Sequence, residues 1–564
     1  MSRPRAKKCK KVGGFIMRSK KMWKNAATCI LALCMLAGCL TGCGEKGNSD
    51  LSSSDLSSSN LSSSDPSSKE PDEPKEPANL SYWCALDSNS QQTLVSFNDM
   101  EMLKEAQELV NVNVTYTHPA SGTEQDQFNL KMTNRELEDI MENAWGSYPG
   151  GPSQAITDGI IIDLAPYIEQ GYAPNFKKLL DENPGYAKQI TTDKGEIYAF
   201  PAIGDAQAVS AGYIVRNDML KAVNLEAPET IADWEEMLIA FRDKLGVKSP
   251  MTGTSGQLIG ENGWLAGAFD TYPGYYLRDG KVQYGYMDHN FKTYLETMRR
   301  WYEEGLIDQD FFGNDTKTVN SKILNDDSGA FFGYIGTGIG TLMNSAKESN
   351  PDLELVAVPY PVGKAGDVAK FMKRSWEVKA GGQAAITTAC KDIEAAVAYL
   401  DFWYSEEGSR LKNFGVEGVS YEMRDGLPYY TDEILKNPDG LSISAALGKY
   451  TRASQASVGL IDARYYEQYY QLPQQVDAVK LWNKNTDPAL EVTLPAIAPT
   501  AEEAEEMATI NAAVSTYVKE ETTKFIMGLR DLNEFDSYVE SLKGLNIDRA
   551  LEIKQAAYER YLAR

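Results

Sequence analysis

Histidine is almost missing from this chain: His118 and His289 are the two in 564 residues. That scarcity removes a His-based triad and a multi-His metal centre. Cysteine is equally thin after the N-terminus. Five of seven (Cys9, Cys29, Cys34, Cys39, Cys43) lie in the first 43 residues, leaving Cys84 and Cys390 in the body. Two thiols cannot make a disulfide scaffold or a Cys-rich metal site, and both are expected as unpaired, buried side chains. Positive charge is short as well. Past Cys43 the chain has 46 Lys and Arg against 80 Asp and Glu, a net −34 where the whole sequence has −24. Such a surface repels nucleic acid and anionic headgroups, so neither is expected as a partner. There is no H-E-x-x-H, G-x-S-x-G or Walker A sequence, and after the leader no apolar run is long enough to span a bilayer.

What is present begins with an address. Residues 18–24, R-S-K-K-M-W-K, form a basic n-region, and the apolar run 26–38 has the length of a signal h-region. It ends in L-A-G-C and then L-T-G-C, which resemble the lipobox of bacterial lipoproteins, so Cys39 or Cys43 is the expected lipidation site. Two acyl chains there would tether the body at the outer face of the cytoplasmic membrane without embedding it. Residues 44–78 repeat D-L-S-S-S and then K-E-P, a Ser- and Pro-rich composition that stays solvated and extended.

The body alternates β-rich runs (110–117, 196–201, 330–335, 353–361, 383–388) with amphipathic helices, which predicts α/β layers. In one helix Thr230 and Asp233 form the N-terminal signal, Trp234, Met237, Leu238, Phe241 and Leu245 share a face, and Gly246 stops it. Ile393, Val397, Leu400 and Tyr404 make a second stripe, and Thr500 with Glu503 opens a long C-terminal helix. G-T-G-I-G at 336–340 lacks the spacing of a dinucleotide fingerprint and reads as a tight turn or hinge.

Several segments, in order, resemble the extracellular solute-binding proteins of family 1, the class that includes the maltose-binding protein. They are K-G-E-I-Y-A-F-P (194–201), G-Y-I-V-R-N-D-M-L with L-E-A-P-E-T-I-A-D-W-E-E (212–236), W-Y-E-E-G-L-I-D (301–308), F-G-V-E-G-V-S-Y-E (414–422) and the stretch 524–561. One departure is R-E-L-E-D-I-M at 135–141, where the family's Gly and Pro are absent. The resemblance implies an α/β, two-lobed periplasmic-binding-protein-like fold, with a hinge between the lobes and a ligand cleft. It implies an N-terminal lobe of 79–204 and 328–374 and a C-terminal lobe of 205–327 and 375–564, with crossings near 202–207, 328–334 and 374–377. A monomeric receptor that delivers a carbohydrate to ABC-importer permease subunits is the expected function, with no catalysis. A peptide receptor, a sensor for a membrane kinase and a surface glycan hydrolase are the alternatives.

Nine Trp and 31 Tyr suit a saccharide, whose C–H faces stack on flat rings while its hydroxyls need a polar rim. Outside the helix stripes the candidate ligand-binding residues are Trp83, Trp145, Tyr148, Trp264, Tyr272 and Trp376, with Asp205, Asp270 and Glu377 as hydroxyl acceptors. No cofactor is expected. Calcium is left open by the oxygen-rich segments 308–315 and 325–329, neither of which completes a twelve-residue loop with a terminal Glu.

Overall fold

The computed structural model describes residues 76–204, 209–453, 455–497 and 499–564. The leader, Cys39, Cys43, most of the tether and Asp205 lie outside them. Early in the chain come β1 (Ala78–Trp83), β2 (Val112–Thr117), β3 (Ile140–Asn143) and the short β4 (Ala202–Gly204). Next are β5 (Ala211–Arg216), the hairpin β6 (Tyr275–Arg278) and β7 (Lys281–Tyr284), β8 (Ala330–Tyr334) and β9 (Leu355–Ala357). After these follow β10 (Gln383–Ile386), the hairpin β11 (Tyr421–Arg424) and β12 (Leu427–Tyr430), and β13 (Gly459–Ile461).

Two sheets carry the two main cores. In the first the order is β10-β3-β1-β2, with β1, β2 and β3 parallel and β10 antiparallel. In the second, β5 lies antiparallel between β8 and β9. Leu80, Val114, Ile140, Phe176, Ile386, Val397 and Leu400 are among the buried residues around the first sheet. Ile214, Trp234, Phe241, Trp301, Phe332, Leu355, Trp482 and Phe525 are among those around the second.

This division corrects the expected lobes. β8 pairs with β5 from Ala211↔Tyr334 to Val215↔Ala330, so 328–374 belongs with 209–327. β10 pairs with β3 from Gln383↔Asn143 to Ile386↔Ile140, and the stretch to Leu411, with Val458, packs with the first core, while Phe414, Tyr421, Tyr430 and Leu447 join a smaller cluster of their own. Only from about Tyr470 does the chain rejoin the second core. An apolar strand names a sheet face but not which sheet, and that is where the sequence reading went astray.

Local signals fared better. The Ile231–Leu245 helix starts with the reciprocal Thr230–Asp233 capping box and ends at Gly246 in the left-handed conformation (φ 74°). Trp234, Met237, Leu238 and Phe241 are buried, whereas Leu245 is exposed. The Ala501–Ile526 helix has its capping box at Thr500 and Glu503. Residues 196–201 form no strand, only isolated bridges at Ile197 and Phe200. Ile335–Thr341 is a π-helical turn rather than a hinge. A Cβ at Gly336 would meet the Tyr469 hydroxyl at 2.7 Å, so glycine there allows close packing. Cys84 and Cys390 are buried and unpaired, as expected.

Candidate ligand-binding site

The two cores meet at β4. β13 pairs with it in parallel, Gly459↔Ala202 to Ile461↔Gly204. On its other side Gly204 N–H donates to the Glu377 carbonyl at 3.1 Å and Lys379 N–H to the Ala202 carbonyl at 2.9 Å. Among the described residues the chain therefore crosses at 372–378 and 461–470. The expected crossing near 374–377 falls within the first of these, most of the expected 202–207 lies outside the described residues, and 328–334 gives way to the segment after β13.

This junction adjoins the carboxyl end of β3 and the amino end of β10. In open α/β sheets ligands sit outside the carboxyl ends of the parallel strands. A cavity of about 330 Å³ lies there. Its walls include Ser147 after β3, Gln189, Tyr198, Lys379 and Gln383, and from the C-terminal part of the chain Ile497 and Arg564. Gln383 Nε2 donates to the Tyr198 hydroxyl at 3.0 Å. Lys379 Nζ donates to Ser375 Oγ at 2.9 Å and to the Trp376 carbonyl at 3.0 Å. Burial lowers the Lys379 pKa, the Arg374 charge lowers it further, and Glu377 opposes both. A larger cavity of about 500 Å³ lies beside Val209, Ile335, Tyr466 and Tyr470, with Glu467, Lys480 and Asn483 also in its walls, but away from the β3–β10 edge. The smaller one offers the hydrogen bonds that a hydroxyl-rich ligand needs.

The expected site residues separate into three groups. Trp83 and Trp145 are core, 2% and 0% exposed. Trp145 packs edge-on to Phe128 at 5.2 Å and donates from Nε1 to the Gln383 carbonyl at 3.1 Å. Both rings are corrected from ligand contacts to packing: the turn after β3 folds the indole back under the sheet. Tyr148 is half-buried and donates to Asp158 Oδ2 at 2.8 Å, which with burial pushes its pKa up to about 12. Trp376 and Glu377 stand on the crossing itself. Trp376 Nε1 reaches the Leu494 carbonyl at 3.1 Å, and Glu377 accepts from Gln189 at 3.4 Å.

The third group is apart from this cavity. Trp264 stacks on Tyr272 at 4.8 Å, and Tyr272 donates to the Glu261 carbonyl at 2.9 Å. Asp270 is an exposed acid facing Arg278 at 3.3 Å. Sequence reading missed Tyr334, at the end of β8, where the ring is 46% exposed. Lys373 lies over it, 4.8 Å from the centroid, and donates to its hydroxyl at 2.7 Å. An aromatic ending a strand is the available signal, and reading 328–334 as a crossing hides it.

The two oxygen-rich segments are already engaged by protein cations. Asp308, buried, pairs with Lys322 at 2.6 Å and accepts from Thr252 and Asn314. Asp326 pairs with Arg216 and Asp327 with Lys248, each at 2.6 Å. Among the described residues no group of three or more His, Cys, Asp or Glu could hold a metal ion. Nor is any described helix long and apolar enough to cross a membrane.

The family model for bacterial extracellular solute-binding protein matches residues 98–410. The chain belongs to that family. The fructooligosaccharide ABC transporter substrate-binding protein FusA of Streptococcus pneumoniae is 25% identical over 495 residues, 83% of this chain and 88% of its own. Lipoprotein LipO of Bacillus subtilis is 25% identical over 456 residues, covering 78% and 85%. Among solved structures, alginate-binding protein AlgQ2 without calcium ion superposes with a TM-score of 0.68 at 23% identity, over 86% of this chain and 98% of that one. The fold is the two-domain, periplasmic-binding-protein-like one. Members of the family are binding proteins.

Proposed function

We propose that this chain is the lipid-anchored receptor of an ABC importer, holding an oligosaccharide in the cavity beside Lys379 and Gln383 and presenting it to a membrane permease. The observation that carries the reading is that cavity: hydrogen-bonding side chains gathered at the carboxyl edge of a parallel sheet, where the hinge crosses. A ligand that contacts both bodies there shifts the population toward closure by its preference for the closed state. The FusA and LipO relationships support an importer and a lipoprotein respectively, and the leader supplies the lipobox cysteines.

Calorimetry of the purified protein against oligosaccharides and short peptides, with chromatography of the recovered ligand, tests this. A saccharide bound and returned intact is the expected result. Tyr198→Phe, which removes one hydroxyl from the cavity, should weaken it by up to about tenfold. Cleavage products, or binding of peptides alone, would refute the reading.

A further inference from the structure

The cavity differs in charge from the larger ones. Three other cavities of this protein, of about 500 to 650 Å³, each have at least one carboxylate in their walls: Glu467 in one, Glu235 in a second, Glu354 in a third. Among the described residues the cavity beside Lys379 has none, in a body where acids outnumber bases 80 to 46, yet it holds two cations, Lys379 and Arg564. Neutral sugars present many hydroxyl protons, and carboxylates are the strongest acceptors for them. A wall without one is poorly matched to an uncharged polyol.

Only some of the donors there are spent. Arg564 is committed to Asp193 and to the Lys188 and Thr191 carbonyls. Lys379 has no carboxylate within ion-pair reach among the described residues, and its two bonds leave the third ammonium proton free. The Tyr198 oxygen accepts from Gln383, and its own proton has no acceptor among the described residues. Asn143 is the cross-strand partner of Gln383, so the two side chains leave the sheet on the same face. Its amide nitrogen is buried with no hydrogen-bond partner among the described residues. A buried donor without a partner costs stability until something fills it. The hydroxyl protons of Ser147, Thr191 and Thr192 are already given to the Ala144 carbonyl, the Ala187 carbonyl and Glu196. What remains open includes the third ammonium proton of Lys379, the Tyr198 hydroxyl proton and the second amide proton of Gln383, with the Asn143 amide buried beside them, a donor set that suits an acceptor with negative charge.

We infer that the saccharide of this receptor carries a carboxylate, as a uronic-acid oligosaccharide does, and that Lys379 pairs with it while Asn143 and Tyr198 donate to its oxygens. This rests on the saccharide-receptor reading above. Ion pairing with a partly buried lysine is stronger than the same pair in water, because the surroundings screen it less.

The test measures affinities of the full chain for galacturonate, mannuronate–guluronate and glucuronoxylan-derived oligomers, each as the free acid and as its methyl ester, beside neutral xylo-, gluco- and fructo-oligosaccharides. Esterification keeps the length and linkage and removes the charge. At least one free acid should bind about tenfold or more tighter than its ester. Lys379→Gln should erase that ratio by weakening the acid far more than the ester, and Asn143→Ala should likewise weaken the acid more than the ester. A neutral oligomer as the tightest ligand, or equal loss of acid and ester in Lys379→Gln, would overturn the acidic assignment and leave the receptor reading standing. Absence of binding to every saccharide would take down both.

Discussion

Lys412 places its ammonium in the interior, 1% exposed, donating to the Ser457 carbonyl at 2.7 Å and the Gly459 carbonyl at 3.1 Å. These carbonyls lead into β13, so the side chain fixes one of the hinge crossings. Burial pulls its pKa down to about 7 from 10.5, Arg452 adds to the fall and Glu142 resists it. In the unfolded chain the lysine keeps its proton to about pH 10. Between about 7 and 10 the unfolded state thus binds more protons, and stability rises with pH through that window. The cost of burying the charge is fully felt below pH 7. The buried Cys84 thiol, pushed far up by burial, opposes the trend once ordinary thiols ionise. The melting temperature should therefore climb from pH 7 to about 8.5, and Lys412→Met should flatten the climb. Equal slopes in the two proteins would refute the assignment.

Beside it, Glu142 pairs with Arg452 at 2.8 Å, both side chains 6% exposed, and accepts from the Tyr82 hydroxyl at 2.7 Å. Removing one partner leaves the other charge buried. Arg452→Met is expected to cost about 3–5 kcal/mol in chemical denaturation, with part recovered in the double variant Glu142→Gln, Arg452→Met. A loss below about 1 kcal/mol would mean the pair contributes no more than an exposed one.

At the scale of elements, the second sheet depends on a helix drawn close to it. The Pro473–Trp482 helix covers β9 and the turn after β8, and Trp482 Nε1 donates to the Val358 carbonyl at 2.8 Å. Its indole fills the place a side chain would take at Gly212 on β5, where a Cβ would meet the ring at 2.5 Å. Gly212→Ala should push the ring outward, break that bond and cost about 1–3 kcal/mol, read as a lower melting temperature with quenching or shift of tryptophan fluorescence. An unchanged midpoint would show that the helix can retreat without loss. Elements of this kind were legible wherever the signal was local. The Thr230 and Thr500 caps, the Trp234–Phe241 face and the runs that became β2, β8 and β10 are read directly from spacing. The partner sheet of β8 was not, because strand pairing depends on contacts far apart in sequence. The site suffered for the same reason: Trp145 stands in a Gly- and Pro-rich loop, yet Phe128 and Met132, brought from another helix, make it core. Lys379, Gln383 and Asn143 carry no motif and become a site only when β3 and β10 pair.

For the whole molecule, the question is what holds the two bodies together on the side away from the hinge strands. Asp193 sits in the turn between Thr191 and Ile197, in the first body. Arg560 and Arg564 belong to the end of the Ile547–Ala563 helix, whose Ile547, Ala550 and Ile553 are buried in the second core. Both guanidinium groups pair with Asp193, and Arg560 also holds Glu503 at 2.6 Å, at the start of the Ala501–Ile526 helix. A rotation about β4 that opens the cavity must part these pairs, since Arg564 forms one of its walls. The groups are partly exposed, so the latch is a modest bias, about 1 kcal/mol, rather than a lock. That bias is enough to change the closed fraction severalfold. Asp193→Asn should raise the apo radius of gyration in small-angle scattering and speed ligand release by a few fold at low salt, with little effect on the melting temperature. In the unmodified protein, added salt should move both quantities the same way, because screening weakens the pairs. If release and radius are the same in both proteins at low ionic strength, closure is governed by the ligand and the hinge alone, and the C-terminal helix serves only to pack.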